Sequence, residues 1–277
     1  MIAGLVVFVM LPAAAQAPAR PLTIVAPILQ QYEDGPPLPD SHLFIPGEMA
    51  AFSFQVQGYR TSSAQRLMLT YRIATVDSDG VLLAEPDTGK IDTEVSEMDK
   101  DWMPKVRYSV FIPPHALSGK YRIQASVRDE QGARQATTEA LFTVRSRPVM
   151  LSETLAVRSF RFLRGEEDRS SLIDAVYKPG ETLWARFDIT GFKRGEKNRL
   201  HVVYSVAIAD PSGKVVFSQA DAAVEQNAPF YPQLYVPATF SLNVQPKTSA
   251  GEYTLIVSAR DEIGGQTCES RQKFRVE

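Results

Sequence analysis

The sequence predicts an all-β chain: two tandem immunoglobulin-like antiparallel β-sandwiches arising from an internal duplication. Three observations predict it. Apolar residues alternate with period two and show no helical periodicity, so one face of each strand is buried and the other is wet. Adding 133 to a residue number lays the first half of the chain over the second. Turn residues recur at a spacing that divides each copy into about seven strands, the count of an immunoglobulin-like sandwich.

Composition sets the outer bounds. With 44% hydrophobic and 22% charged residues, the 277-residue chain can bury sizeable cores, which disfavours disorder and multi-span membrane architectures. Lys and Arg number 30 against 32 Asp and Glu, a net charge of −2 that lacks the electrostatic footprint of a nucleic-acid binder. One cysteine, Cys268, excludes an intrachain disulfide and any multi-thiolate metal site. It is expected as a small buried hydrophobe on a strand.

At the N-terminus, Ile2 to Leu11 is an apolar run too short to span a bilayer, and Ala13, Ala14 and Ala15 follow it. The pattern reads as a signal peptide over residues 1–15, with cleavage after Ala15, because cutting after Ala17 would leave Pro18 next to the scissile bond. The run lacks a preceding Lys or Arg. No other segment is long and apolar enough for a span, so no membrane span is expected after cleavage and export to the periplasm or beyond is the working location.

The first domain is expected over 16–147. Pro46-Gly47-Glu48 opens a strand on which Phe52, Phe54 and Val56 alternate inward, and Leu67, Leu69 and Tyr71 mark the next. Asp77-Ser78-Asp79-Gly80 then supplies the capping carboxylate and positive φ of a turn. Tyr121, Ile123, Ala125 and Val127 form a later stripe that ends at the turn Asp129 to Gly132. Arg145 to Pro148 reads as the linker, and the second domain is expected over 148–277. Its first strand is Arg158 to Arg164, with Phe160 and Phe162 inward. Pro179-Gly180-Glu181, Leu200-Val202-Tyr204 and Asp210 to Gly213 repeat the first copy at the offset of 133. At an offset of 132, Tyr253 repeats Tyr121, Asp261 repeats Asp129, and Phe274 to Val276 repeats Phe142 to Val144. A Gly two residues before Tyr121 and Tyr253, with Ile123 and Leu255 two residues after, predicts a tyrosine corner in each copy, with an apolar residue where antibody domains carry cysteine.

The stretches Pro179 to Phe192, Val203 to Phe217 and Ser249 to Gly265 are similar to bacterial Ig-like modules and to the macroglobulin-like domains of α2-macroglobulin-type proteins. The resemblance implies a fold and an exported setting rather than an activity. Cys268 is followed by Glu269 and Ser270, so the thioester segment of the macroglobulin inhibitors has no counterpart.

Residues able to carry chemistry are few. His42, His115 and His201 have no partner spacing for a triad or a metal and are read as surface histidines, and no nucleophile motif occurs. The carboxylate groups Asp77/Asp79, Asp99/Asp101 and Glu166 to Asp168 lack the pattern of a calcium loop and are read as turn formers and a solvated loop. Arg158 to Arg164 leaves open a basic patch for an acidic glycan. The segment 227–237 interleaves Phe230, Tyr231 and Tyr235 with Pro229, Pro232 and Pro237, a stiff aromatic stretch. It reads either as a platform for sugar or peptide, or as cover for a sandwich edge or for copy one; cover is the expected role. Together these readings predict an exported, non-enzymatic binding or interaction module for a protein or cell-envelope partner. No cofactor, catalytic residue or metal site is assigned. A carbohydrate-binding accessory module is the alternative, and an unrecognised hydrolase the third reading.

Overall fold

A computed structural model of the chain describes residues 20–99 and 101–277. The expected leader, residues 1–15, lies outside them. Among the described residues, sixteen strands form four sheets. The first copy runs β1 (Thr23–Gln30), β2 (Leu43–Phe44), β3 (Met49–Gln57), β4 (Arg66–Val76), β5 (Asp87–Glu94), β6 (Lys105–Phe111), β7 (Gly119–Asp129) and β8 (Arg134–Val144). The second runs β9 (Ala156–Leu163), β10 (Val176–Tyr177), β11 (Thr182–Thr190), β12 (Leu200–Ala209), β13 (Val215–Asn227), β14 (Tyr235–Asn243), β15 (Gly251–Asp261) and β16 (Gln266–Val276).

In the first copy a three-stranded sheet, β1-β3-β6, faces a five-stranded one, β2-β8-β7-β4-β5; the second copy repeats this as β9-β11-β14 against β10-β16-β15-β12-β13. Each copy therefore has eight strands rather than about seven. The cause is the opening segment, which serves both sheets: β1 pairs antiparallel with β3, and β2 then crosses over to pair with β8. That second pairing, and its equivalent of β10 with β16, is parallel, a departure from the purely antiparallel expectation.

Alternation along the strands builds the cores. On β7, Tyr121, Ile123, Ala125 and Val127 are buried while the residues between them are at least partly exposed. They meet Phe52, Phe54 and Val56 of β3 and Leu67, Leu69 and Ile73 of β4 in one continuous cluster. The second cluster uses the equivalents Ala185, Phe187, Ile189, Leu200, Val202, Tyr253, Leu255 and Val257. Burial of each large aliphatic or aromatic side chain contributes roughly 1.5–3 kcal/mol. Phe162 is buried and Phe160 packs against the same cluster, as does Cys268, whose thiol burial pushes upward in pKa.

Both tyrosine corners form. The Tyr121 hydroxyl donates to the Leu117 carbonyl at 2.9 Å, and Tyr253 donates to Ser249 at 3.0 Å. A second device is also repeated. Asp129, fully buried, accepts backbone N–H bonds from Gln131 and Gly132 within its own turn and from Arg60 across the sheet end. Asp261 does the same with Ile263, Gly264 and Lys193. Each carboxylate thus ties the last hairpin to the loop after β3 or β11, replacing hydration by charge-assisted bonds. That loop begins at Gly58 or Gly191, with φ of 74° and 77°; a Cβ there would collide with the carbonyl oxygen of Pro21 or Thr154, where the chain enters the copy.

The corner bond of the second copy has a measurable weight. Tyr253→Phe, which leaves the Ser249 carbonyl without this donor, is expected to destabilise the second sandwich by about 1 kcal/mol in denaturant melts. An unchanged melt would show that the hydroxyl bond adds nothing to the corner.

Candidate interaction site at the junction of the sandwiches

The two copies meet through the aromatic segment before β14. Tyr231 belongs to the buried core cluster of the first sandwich although it lies in the second half of the chain. Its hydroxyl donates to Asp77 Oδ2 at 2.8 Å, while Asp77 Oδ1 accepts the backbone N–H groups of Asp79 and Val81. The turn after β4 is therefore a socket: its carboxylate is fixed by its own backbone on one oxygen and presents the other to the incoming phenol. Burial first, and then the neighbouring Tyr121 hydroxyl and the Asp77 carboxylate, push the Tyr231 phenol far above its ordinary pKa, so it remains a neutral donor.

Tyr235, also buried, closes the rest of the junction. Its ring meets His115 edge-on at 5.3 Å, and the Arg147 guanidinium lies over it, 4.7 Å from the centroid. Arg147 Nη1 also donates to Asp188 Oδ2 at 2.7 Å, and Nη2 donates to the other oxygen of that buried carboxylate. A residue of the linker is thereby pinned to β11 by a bidentate pair. The Asp188 bond holds the Arg147 guanidinium above its ordinary pKa.

Several readings of the sequence are sharpened here. His115 is not a plain surface histidine: it sits half-buried in the junction, and desolvation lowers its pKa, with Glu225 opposing and Arg147 adding to the effect. His42 packs edge-on against Phe44 at 4.5 Å, and His201 is half-buried on β12. Of the aromatic segment, Tyr231 and Tyr235 are buried and only Phe230 is exposed, so the stretch packs on the first copy instead of presenting a three-ring platform. Asp99 accepts from the Ser96 hydroxyl, Asp101 is exposed near Arg20, and Asp168 braces its loop through the N–H groups of Arg164 and Gly165. Arg164 pairs with Glu181, and Arg158 is exposed. Nothing brings these carboxylates together, and among the described residues no group of three or more His, Cys, Asp or Glu is placed to hold a metal ion. No described helix is long and apolar enough to cross a membrane.

Arg147, Asp188 and Asp77 escaped the sequence reading as junction residues. A signal existed in the repeat itself. Asp188 falls on Gln55 and Tyr231 on Asp99 when the copies are superposed through their strand registers, so both sites break the duplication.

The second copy carries a concavity at the matching place. An open cavity of about 520 Å³ is lined by Asp210, Lys247 and Tyr253, with Val216, Phe217 and Leu242 among its apolar walls.

No family model matches the chain, and no curated protein matches it. Among solved structures, the C-terminal domain of the Streptococcus agalactiae AgI/II polypeptide BspA aligns over 93% of this chain and 100% of its own, at 11% identity and a TM-score of 0.34. The C-terminal domain of the Streptococcus pyogenes antigen I/II-family protein AspA aligns over 94% and 99%, at 10% identity and 0.35. Red sea bream transglutaminase aligns over 95% of this chain and 32% of its own, at 13% identity and 0.29. With scores this low, the immunoglobulin-like assignment stands on the strand pairing described above.

Two outcomes are expected at the junction. Tyr231→Phe removes a hydrogen bond to a carboxylate and should lower the stability of the first sandwich by roughly 1.5–3 kcal/mol, and Tyr231→Ala by roughly 3–5 kcal/mol through the cavity it leaves. Equal melts for the three proteins would show that the socket is not coupled to the first core. The second outcome concerns pH. His115 has a folded pKa below its ordinary value of 6.5, so the unfolded chain takes up the proton first as pH falls. The penalty is absent above the ordinary value, grows as pH drops through it, and levels off below the lowered folded value. Melts at about pH 7.5 and about pH 5.5 should therefore differ less for His115→Gln than for the parent; an identical difference in both would remove His115 as the titrating group.

Proposed function

We propose that the chain is an exported, non-enzymatic binding module for a protein or cell-envelope partner, acting in the periplasm or outside the cell. In this reading residues 1–15 are the signal peptide, and 16–147 and 148–277 are the two domains of a protein akin to bacterial Ig-like and macroglobulin-like modules. The observation that carries it is how the polar residues are used. Asp77, Asp129, Asp168, Asp188 and Asp261 each serve a turn, a loop or the junction, while the second sandwich keeps an open, partly apolar cavity beside Tyr253. Concave apolar surface with a few fixed polar groups suits recognition.

A carbohydrate-binding role is the second reading. It is favoured by the exposed rings of Trp102 and Phe230, whose faces could stack on sugar.

The test immobilises the chain and passes over it the exported protein fraction of the source cell, alongside a soluble glycan array and a panel of chromogenic esters and glycosides. Retention of one or a few proteins, unchanged after periodate treatment of the fraction, is the expected result. Glycan binding without protein retention would replace the first reading by the second, and turnover of any chromogenic substrate would overturn both.

A further inference from the structure

The duplication supplies an internal standard for the cavity of the second sandwich. In the first sandwich, Asp77 bonds Tyr231, which shares the core cluster of Tyr121, and His115 meets Tyr235. The offset of 133 carries Asp77 to Asp210, and the offset of 132 carries His115 and Tyr121 to Lys247 and Tyr253. All three counterparts line the one cavity of about 520 Å³. Among the described residues, the place that the first copy fills with a tyrosine from the next sandwich is therefore left open in the second.

We propose that this cavity docks an aromatic, proline-flanked segment of another polypeptide, with the chemistry that Pro229 to Tyr235 presents to the first sandwich. The inference rests on the reading of the chain as a protein-binding module and names the class of partner. Its acceptor is in place. Asp210 Oδ1 accepts from the backbone N–H groups of Ser212 and Lys214, as Asp77 Oδ1 does from its own turn, which leaves Oδ2 to meet a phenol. The Ser212 hydroxyl bond, opposed by slight desolvation, holds the Asp210 carboxyl below its ordinary pKa, so it is an anionic acceptor at neutral pH. Val216, Phe217 and Leu242 give the ring apolar walls. Lys247 in the place of His115 offers a cation to a ring face or to an acidic flank, as Arg147 does over Tyr235. A second copy of the chain does not supply the segment, because its own Tyr231 and Tyr235 are buried in its own junction.

A synthetic peptide of residues 227–237 is the probe, titrated into the full chain labelled for backbone NMR. Saturable shifts at Asp210, Lys247, Ser249 and Tyr253 are expected. The peptide carrying Tyr231→Ala should bind at least about tenfold more weakly, the loss of an interface anchor. Val216→Glu in the chain places a charge at the cavity wall on an exposed position of β13, and should abolish the shifts while leaving the melt unchanged. No shifts, shifts confined to Asp77 and Tyr121, or an undiminished response in Val216→Glu would overturn the proposal. So would the same shifts produced by a soluble oligosaccharide, or by raising the chain concentration without peptide. If the peptide fails while the immobilised Val216→Glu chain still retains exported proteins, the cavity assignment falls and the binding-module reading stands. If protein retention by the parent chain fails as well, both fall.

Discussion

One tyrosine makes the two sandwiches into a single object. Tyr231 leaves the second copy, completes the apolar core of the first, and ends on a carboxylate that the first copy has already fixed with its own backbone. The phenol suits this task because it brings a large apolar area and one polar tip, and the tip meets an acceptor instead of being buried unpaired. Without Asp77 the buried hydroxyl would lose its charged partner, and without Tyr231 the socket would open onto the core. The Arg147–Asp188 pair and the Tyr235 ring lie beside that contact and share its logic: the linker guanidinium pairs the Asp188 carboxylate, and His115 of the first copy meets the Tyr235 ring.

The same turn shows how a duplicated chain acquires asymmetry. Asp77 and Asp210 occupy equivalent turns and make equivalent backbone bonds, yet one is buried beneath a phenol and the other is half-buried at the edge of an open cavity. The difference comes from the neighbour and not from the turn. In the first copy the socket is filled from the sandwich that follows, and its polar geometry is set by local hydrogen bonds. That separation lets the socket persist through duplication while its occupant changes.

Most of the fold was legible in the sequence because strand alternation, turn residues and corner tyrosines are local signals, and duplication displayed each of them twice. Period-two stripes such as Tyr121 to Val127 and Tyr253 to Ala259 are buried as the pattern demands. The split of the opening segment into β1 and β2 was not legible, since a two-residue parallel pairing such as Leu43–Phe44 with β8 leaves no periodicity to detect. The junction was half legible. Aromatic and proline content marked 227–237 as a segment that covers something, but the choice of Asp77, His115 and Arg147 as its partners is set by tertiary approach across 154 positions in the case of Tyr231 and Asp77. His115 shows the cost of reading residues singly: a lone histidine in a proline-rich connection looks solvated until a ring from the other sandwich is laid against it.

The use of the carboxylates bears on function in a way that motif searching does not. A general acid or base must be free to exchange a proton with a bound substrate, so its oxygens cannot all be committed to the scaffold. Asp129 and Asp261 are buried with both oxygens bonded to backbone or side-chain donors, Asp188 is held by a bidentate guanidinium, and Asp77 is divided between its turn and Tyr231. These are the acids that a buried-polar survey would select first, and each is engaged in holding two pieces of chain together. The second sandwich offers surface of another kind: apolar walls beside an anionic acceptor and a lysine, in a socket that the described residues do not fill. A second polypeptide offering a tyrosine meets a site whose hydrogen-bond acceptor is already oriented, so less of its binding free energy goes into ordering the receptor.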